Sequence, residues 1–427
     1  MRHLAALLLA VAACGGDGST MPDAPDLPVP TANPARGISD TKLGFDVTAQ
    51  SGTATITFEP STDPGATLEV GDLAIDSVSV PFQANATAKT IDLGLAASDA
   101  PTSVEFAFHY KFHTGFAGAS AFGYTFLWPY FCGNLFPCHS QPRDGMAVTL
   151  ALTGVPAGKT AVYPTAITEA PSYQLAWSID TYTELPLGTT TAGTQVSVWY
   201  TGTQLATAQK GTANLVAAFD WLEKTIGPYR FGTKVGSVSV KWGTGAYGGM
   251  EHHPMWHVGA ASLGDQVTNV HEASHGWFGD GIRIGCWEDF VLSEGTVTYL
   301  AGRALDVVAP TVGMTAWQGY ASELTAIPAT DPVWPQSCNT VDVLKDNLFT
   351  NAPYIRGAFF YRGVALKVGA AMLDKALHQF YMDHSGKTGR MSEMLDTIKT
   401  VTGYDATACA AMWLTSTTKP AAETPCP

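Results

Sequence analysis

The sequence predicts a multidomain α+β chain, with an N-terminal antiparallel β domain followed by a mixed α/β and then mainly helical region. Three patterns predict it. Residues 39–200 carry short runs in which apolar and polar residues alternate, separated by Gly, Pro and Asp clusters, the period-two signature of half-buried strands. Leu215, Val216, Phe219, Leu222 and Ile226 recur at helical spacing and stop at Gly227-Pro228, after which Val235 to Trp242 alternates again. From Val267 onward the apolar residues fall mostly at helical spacing.

Taken in order, the first 14 residues read as an export leader. Arg2 gives the positive start, Leu4 to Ala12 the apolar stretch, and small residues run up to Cys14. A cysteine in that place resembles the processing site of bacterial lipoproteins. The resemblance implies removal of residues 1–13, acylation of Cys14, and a place in the bacterial cell envelope with membrane contact only through the lipid. Residues 14–38, rich in Gly, Pro and Asp, are expected to be a flexible tether. The β domain is expected over 39–205, with strands at 54–58, 104–108, 148–152 and 196–200. The second region is expected over 206–427, with helices at 215–226, 267–279, 294–307, 355–373, 375–384 and 391–402 and a strand at 235–242.

Composition narrows the function. Hydrophobic residues make up 46% of the 427 and charged residues 14%, enough apolar material for sizeable cores. No apolar run reaches the ~18 residues of a membrane span. With 23 basic against 37 acidic residues, a net charge of -14 argues against nucleic acid or an anionic lipid surface as partner. A monomer is expected. Beyond Cys14 six cysteines remain, an even number in an exported chain. Pairing nearest neighbours gives Cys132–Cys138, Cys286–Cys338 and Cys409–Cys426.

The most informative stretch is Val270-His271-Glu272-Ala273-Ser274-His275. On a helix, His271 and His275 lie about 40° apart on one face, one turn above the other, where one Zn²⁺ can take both imidazoles. Glu272 lies one step round and can reach a metal-bound water without occupying a metal position. Composition alone predicts about 0.01 occurrences of His-Glu-x-x-His in a chain like this. Glu294 follows His275 by 18 intervening residues. If its segment is a second, antiparallel helix, its first turn supplies a third ligand. Two His and one Glu leave a position open for water, the catalytic arrangement.

These residues, with Trp277-Phe278-Gly279 and Trp287 to Gly295, resemble the zinc metallopeptidases of the aminopeptidase N and leukotriene hydrolase family. Further matches follow in order: Ile226 to Phe231, Gly248-Gly249-Met250-Glu251-His252, Ala352-Pro353-Tyr354 to Gly357, and Met391 to Leu414. The resemblance covers about 39–415 and implies a short bacterial lipoprotein form, without the family's large C-terminal helical domain. It implies a thermolysin-like catalytic domain, peptide substrates, and one Zn²⁺ on His271, His275 and Glu294. Glu272 would be the general base and Tyr354 would donate to the oxyanion. Glu251 would hold the substrate's free α-ammonium, and Gly248, Gly249 and Met250 would pair with its backbone. Asp289 would either hydrogen-bond a ligand imidazole or cap a helix.

Three departures stand beside this. His252 replaces the family's Asn, and His253 and His257 follow; surface imidazoles are expected there, the alternative being a second metal. Gly-Gly-Met-Glu-His is also similar to the Gly-Gly-Leu-Glu-His of glycyl aminopeptidases, whose metal-ligand spacing is longer. In the β domain, Trp128 and Gly133 fall where the family carries a Glu or Gln that helps hold the amine and an Arg. Amine anchoring would then rest on Glu251 alone. A zinc aminopeptidase, a zinc endopeptidase indifferent to the N-terminus, and a non-catalytic peptide-binding lipoprotein are the readings that follow.

Overall fold

The structure is a computed structural model. It describes residues 27–127, 131–243, 248–342, 345–346 and 348–427. The leader, Cys14, the first half of the tether and Trp128 lie outside the described residues.

Alternation produces the expected strands. In Ser51–Phe58 the residues Ala54, Ile56 and Phe58 are buried, and in Thr102–His109 Val104, Phe106 and Phe108 are. The main N-terminal sheet has six strands. Their spatial order is Ala166–Ala170, Met146–Thr153, Ile38–Asp46, Ser51–Phe58, Thr102–His109 and Ala74–Val78. It is not wholly antiparallel as expected: Ile38–Asp46 runs parallel to Met146–Thr153. About a hundred residues separate those two strands, and the connection carries a three-stranded sheet of Ala66–Glu69, Thr90–Leu93 and Phe82–Asn85. A crossover that long lets the chain return in the same direction.

A second sheet orders Tyr182–Thr189, Gln195–Thr201, Lys234–Val240, His257–Gly259 and Gly249–Met250. Gln195–Thr201 pairs parallel with Lys234–Val240. The expected boundary at 205 therefore cuts this sheet, and its first two strands belong by hydrogen bonding to the second region. Burial explains why alternation misplaced them. Val196, Ser197, Val198 and Trp199 are all buried, as in a parallel strand covered on both faces. Helices α1 (Leu205–Gly211), α2 (Leu215–Thr225) and α3 (Gln266–Ser274) pack beside this sheet.

The rest is mainly helical, with a small parallel pair of Arg283–Ile284 and Thr388–Gly389: α4 (Phe290–Val308), α5 (Pro310–Ala326), α6 (Asn351–Val368), α7 (Ala370–His384) and α8 (Met391–Thr402). The pattern reading lacked α5 and began α4 one turn late. Helices α4 and α6 cross where Gly295 faces Gly357; a Cβ on Gly295 would lie 2.8 Å from the Gly357 Cα. Two glycines let the backbones approach this closely, one residue from Glu294 and three from Tyr354. Among the described residues the disulfides are Cys132–Cys138, Cys286–Cys338 and Cys409–Cys426, the expected pairing. No helix among the described residues is long and apolar enough to cross a membrane.

Candidate active site

Helix α3 starts at Asp265, whose carboxylate accepts from the Val267 and Thr268 amides. Its α-helical stretch ends at Ser274, short of the expected 279, but His275 keeps helical angles (φ −60, ψ −21). His271 and His275 therefore share one face. The chain then turns through Gly279 (φ +104), where a Cβ would lie 2.6 Å from His275 Nδ1. That turn brings the Phe278 carbonyl 3.0 Å from His275 Nδ1. Donation from Nδ1 leaves Nε2 with its lone pair facing outward.

Antiparallel α4 brings Glu294 against both imidazoles. His271 Nε2 lies 3.2 Å from Glu294 Oε2, His275 Nε2 lies 3.4 Å from the same oxygen, and the two Nε2 atoms are 3.3 Å apart. Around zinc with bonds of about 2.05 Å, a tetrahedron has edges of about 3.3 Å. The triangle thus has the dimensions of three vertices of a tetrahedral zinc site. Electrostatics agree. Burial opposes charge on His275, but Glu294 and Glu251 outweigh it and lift its pKa to about 10. Burial likewise opposes charge on Glu294, yet His275 and hydrogen bonds from both histidines hold it at about 2. The carboxylates thus surround these imidazoles with negative charge.

Glu272 and Glu251 are buried beside this triangle, and their carboxylates lie with a His275 ring nitrogen inside 4.8 Å. Burial pushes Glu272 well above the carboxylate range and Glu251 to about 7. Glu272 lies across Gly249. Gly249–Met250 pairs antiparallel with His257–Gly259, and Gly248, Gly249, Met250 and Glu251 all line the cleft. Tyr354, in the first turn of α6, stacks on His271 with ring centroids 5.9 Å apart and 19° between planes. The cleft encloses ≈ 310 Å³. Phe126, from the strand Thr125–Leu127, is the N-terminal region's contribution to its lining among the described residues. Gly133 does not line it; it packs on the backbone of Val70 and Gly71.

One expectation is corrected and one alternative is decided. His252, His253 and His257 are not surface imidazoles; all are buried. His253 lies 2.8 Å from the Glu272 carbonyl through Nε2 and 2.8 Å from the Tyr229 hydroxyl through Nδ1, which ties α3 to the strand edge. His252 and His257 meet edge to face, centroids 4.5 Å apart. A short strand flanked by turns resembles surface in sequence; the covering aromatics come from elsewhere, Phe126 and Trp242 among them. Asp289 bonds no ligand imidazole; the capping alternative holds, though on α8 and not on its own helix. Its carboxylate accepts from Trp334 Nε1 (3.1 Å), the Met391 amide (3.2 Å) and Arg390 Nε, so it fastens the start of α8 to the start of α4.

The sequence also gave no sign of Thr298, Tyr320 and Glu323, which line the cleft from α4 and α5. Thr298 stands one turn beyond Glu294, a spacing that could have marked it.

Residues 260–413 match the peptidase family M1 domain. Aminopeptidase N of Streptomyces lividans is 26% identical over 156 residues, 35% of this chain and 18% of that protein. Leucine aminopeptidase 2 of Pyricularia oryzae is 28% identical over 189 residues, 42% of this chain and 30% of that protein. The matched stretch thus spans less than a third of either relative. The M1 zinc metallopeptidase from Deinococcus radiodurans superposes with a TM-score of 0.76 at 19% identity, over 91% of this chain and 96% of that one. A mutant M1 zinc metallopeptidase from Deinococcus radiodurans bound to a Tyr-Ser-Ala substrate gives 0.76 at 18% identity, over 91% of this chain and 96% of that one.

Proposed function

From the match of residues 260–413 to the peptidase family M1 domain, we propose that the chain is a zinc aminopeptidase removing N-terminal residues from peptides. The observation that carries the reading is the triangle of ligand atoms with 3.2–3.4 Å edges, with Glu272 and Tyr354 facing the same cleft. One ion on His271, His275 and Glu294 fits that triangle. Zinc bound there supplies Lewis acidity, lowering the pKa of a water and polarising a carbonyl. Glu272 takes the proton of the attacking water and passes it to the leaving amine. Tyr354 donates its phenolic hydrogen to the oxyanion that develops beside it. Glu251 receives the substrate's α-ammonium, and the backbone at Gly248, Gly249 and Met250 pairs with the peptide as an added strand. The leader-like segment ending at Cys14 favours a lipid-anchored place in the cell envelope.

A second reading has its own support. Among the described residues the N-terminal region offers the cleft Phe126 and no carboxylate, so the amine has Glu251 as its partner there. An endopeptidase indifferent to the N-terminus is consistent with that. Cleavage of a mixed peptide pool, free and N-acetylated, with chelator and with zinc restored, decides. Stepwise N-terminal shortening of free peptides alone supports the aminopeptidase. Cleavage of acetylated peptides supports the alternative. Cleavage untouched by chelation would discard both.

A further inference from the structure

Resting on the peptidase reading, we propose that the end of the cleft beyond His271 is a cation subsite. It selects a lysine or arginine side chain on the residue that follows the scissile bond.

Position comes first. Glu251 and Glu272 cluster with His275. Going up α3 from His275 through His271 leads to Val267, one helical turn further, and then to the capping residue Asp265. A peptide whose ammonium lies at Glu251 spends its first residue reaching the metal triangle. Its next residue therefore lies on the far side, beyond His271. Thr298 on α4, Tyr320 and Glu323 on α5, and Asn351 at the start of α6 line the cleft together with Asp265 and Val267.

The chemistry there is polar and negative. Thr298 is 2% exposed and Tyr320 7%. Neither hydroxyl has a hydrogen-bond partner among the described residues. Buried hydroxyls are seldom left without one, and both belong to the cleft lining. Glu323 is exposed at the rim of the cleft, and its carboxylate receives a long 3.4 Å bond from Asn351 Nδ2. Burial and then the charges of Asp265, Glu323 and Asp306 push the Tyr320 phenol well above its ordinary range, so the field at this hydroxyl is negative. No lysine or arginine lines the cleft among the described residues. A guanidinium or ammonium brings donors only. It meets a carboxylate and two hydroxyl acceptors, whereas an apolar or acidic side chain leaves them unmet.

The test uses the zinc-loaded protein and four peptides with alanine kept in the first position: Ala-Arg-Ala, Ala-Lys-Ala, Ala-norleucine-Ala and Ala-Glu-Ala. Norleucine keeps the lysine stem and removes the charge. Turnover is read as kcat/KM on the unaltered enzyme, and binding by calorimetry on the Glu272→Gln variant. Arginine and lysine peptides are expected to exceed the norleucine peptide by up to about tenfold in both, an exposed ion pair plus hydrogen bonds to the two buried hydroxyls being worth about that factor. Glu323→Gln should remove most of that ratio, and Tyr320→Phe part of it. Equal values for the basic and norleucine peptides, or a ratio that survives Glu323→Gln, would overturn the subsite while leaving the peptidase reading intact. If none of the four is bound or cut, the peptidase reading falls and the subsite with it.

Discussion

Glu272 lies so close over Gly249 that a Cβ at 249 would overlap its Cγ, Cδ and Oε1. The strand edge that would pair with substrate and the carboxylate proposed to move its protons are thus in direct contact. A side chain at 249 can be accommodated only by moving that carboxylate. For Gly249→Ala we expect kcat to fall roughly 100-fold, the scale of an ångström's misplacement, with zinc content unchanged. Full turnover in this variant would mean that Glu272 need not stand where it does.

The ligands and the base should separate cleanly. Glu272→Gln is expected to keep about one zinc per chain and to lose about 10³-fold or more in kcat, within the span of general acid–base catalysis. His275→Ala is expected to lose the metal itself, since two of the three edges of the triangle end on its Nε2. Metal analysis beside turnover checks both. Zinc retained by His275→Ala would remove that imidazole from the ligand set.

Tyr354→Phe keeps the ring that stacks on His271 and removes the hydroxyl. Loss of one oxyanion donor costs about 10²–10³ in kcat, so a fall of that size with KM little changed is expected. A fall in zinc content instead would assign Tyr354 to holding His271 in place.

Acid should destabilise the protein earlier than carboxylate chemistry alone requires. Burial holds His253 and His257 at about 3 and lowers His252 as well, against about 6.5 when unfolded. Below about 6.5 the unfolded chain takes up protons that the folded chain refuses. Stability contributed by these neutral rings is therefore complete above that pH and declines toward pH 3, by up to about 1.4 kcal/mol per pH unit for each histidine. Melting temperature followed from pH 7.5 to 5, before most carboxylates titrate, reads this. His257→Gln should flatten the decline, and an unchanged slope would refute the assignment.

The parts of the site legible in the sequence are those fixed by covalent spacing. His271, Glu272 and His275 are set by the helical repeat alone, and Glu294 needed only the inference of an antiparallel partner helix. What was not legible depends on which surfaces meet. The strand Gln195–Thr201 gives itself to one sheet or another according to its neighbours. The three histidines at 252, 253 and 257 are buried by Phe126, more than a hundred residues away, and by Trp242 and Tyr229 from the preceding elements. Asp289 finds its partners about 45 and 100 residues away. Helix α5 carries Trp317, Tyr320 and Leu324 at helical spacing, but which face would meet the cleft is decided by its packing on α4.

Phe126 has a consequence for heat and proteolysis. It reaches the cleft from the N-terminal half, while among the described residues the remaining lining comes from the C-terminal half. A peptide resting there touches both and acts as a rivet between them. Saturating the protein with an uncleaved peptide should then toughen the whole molecule, including loops far from the metal, because prying the halves apart would first require ejecting the guest.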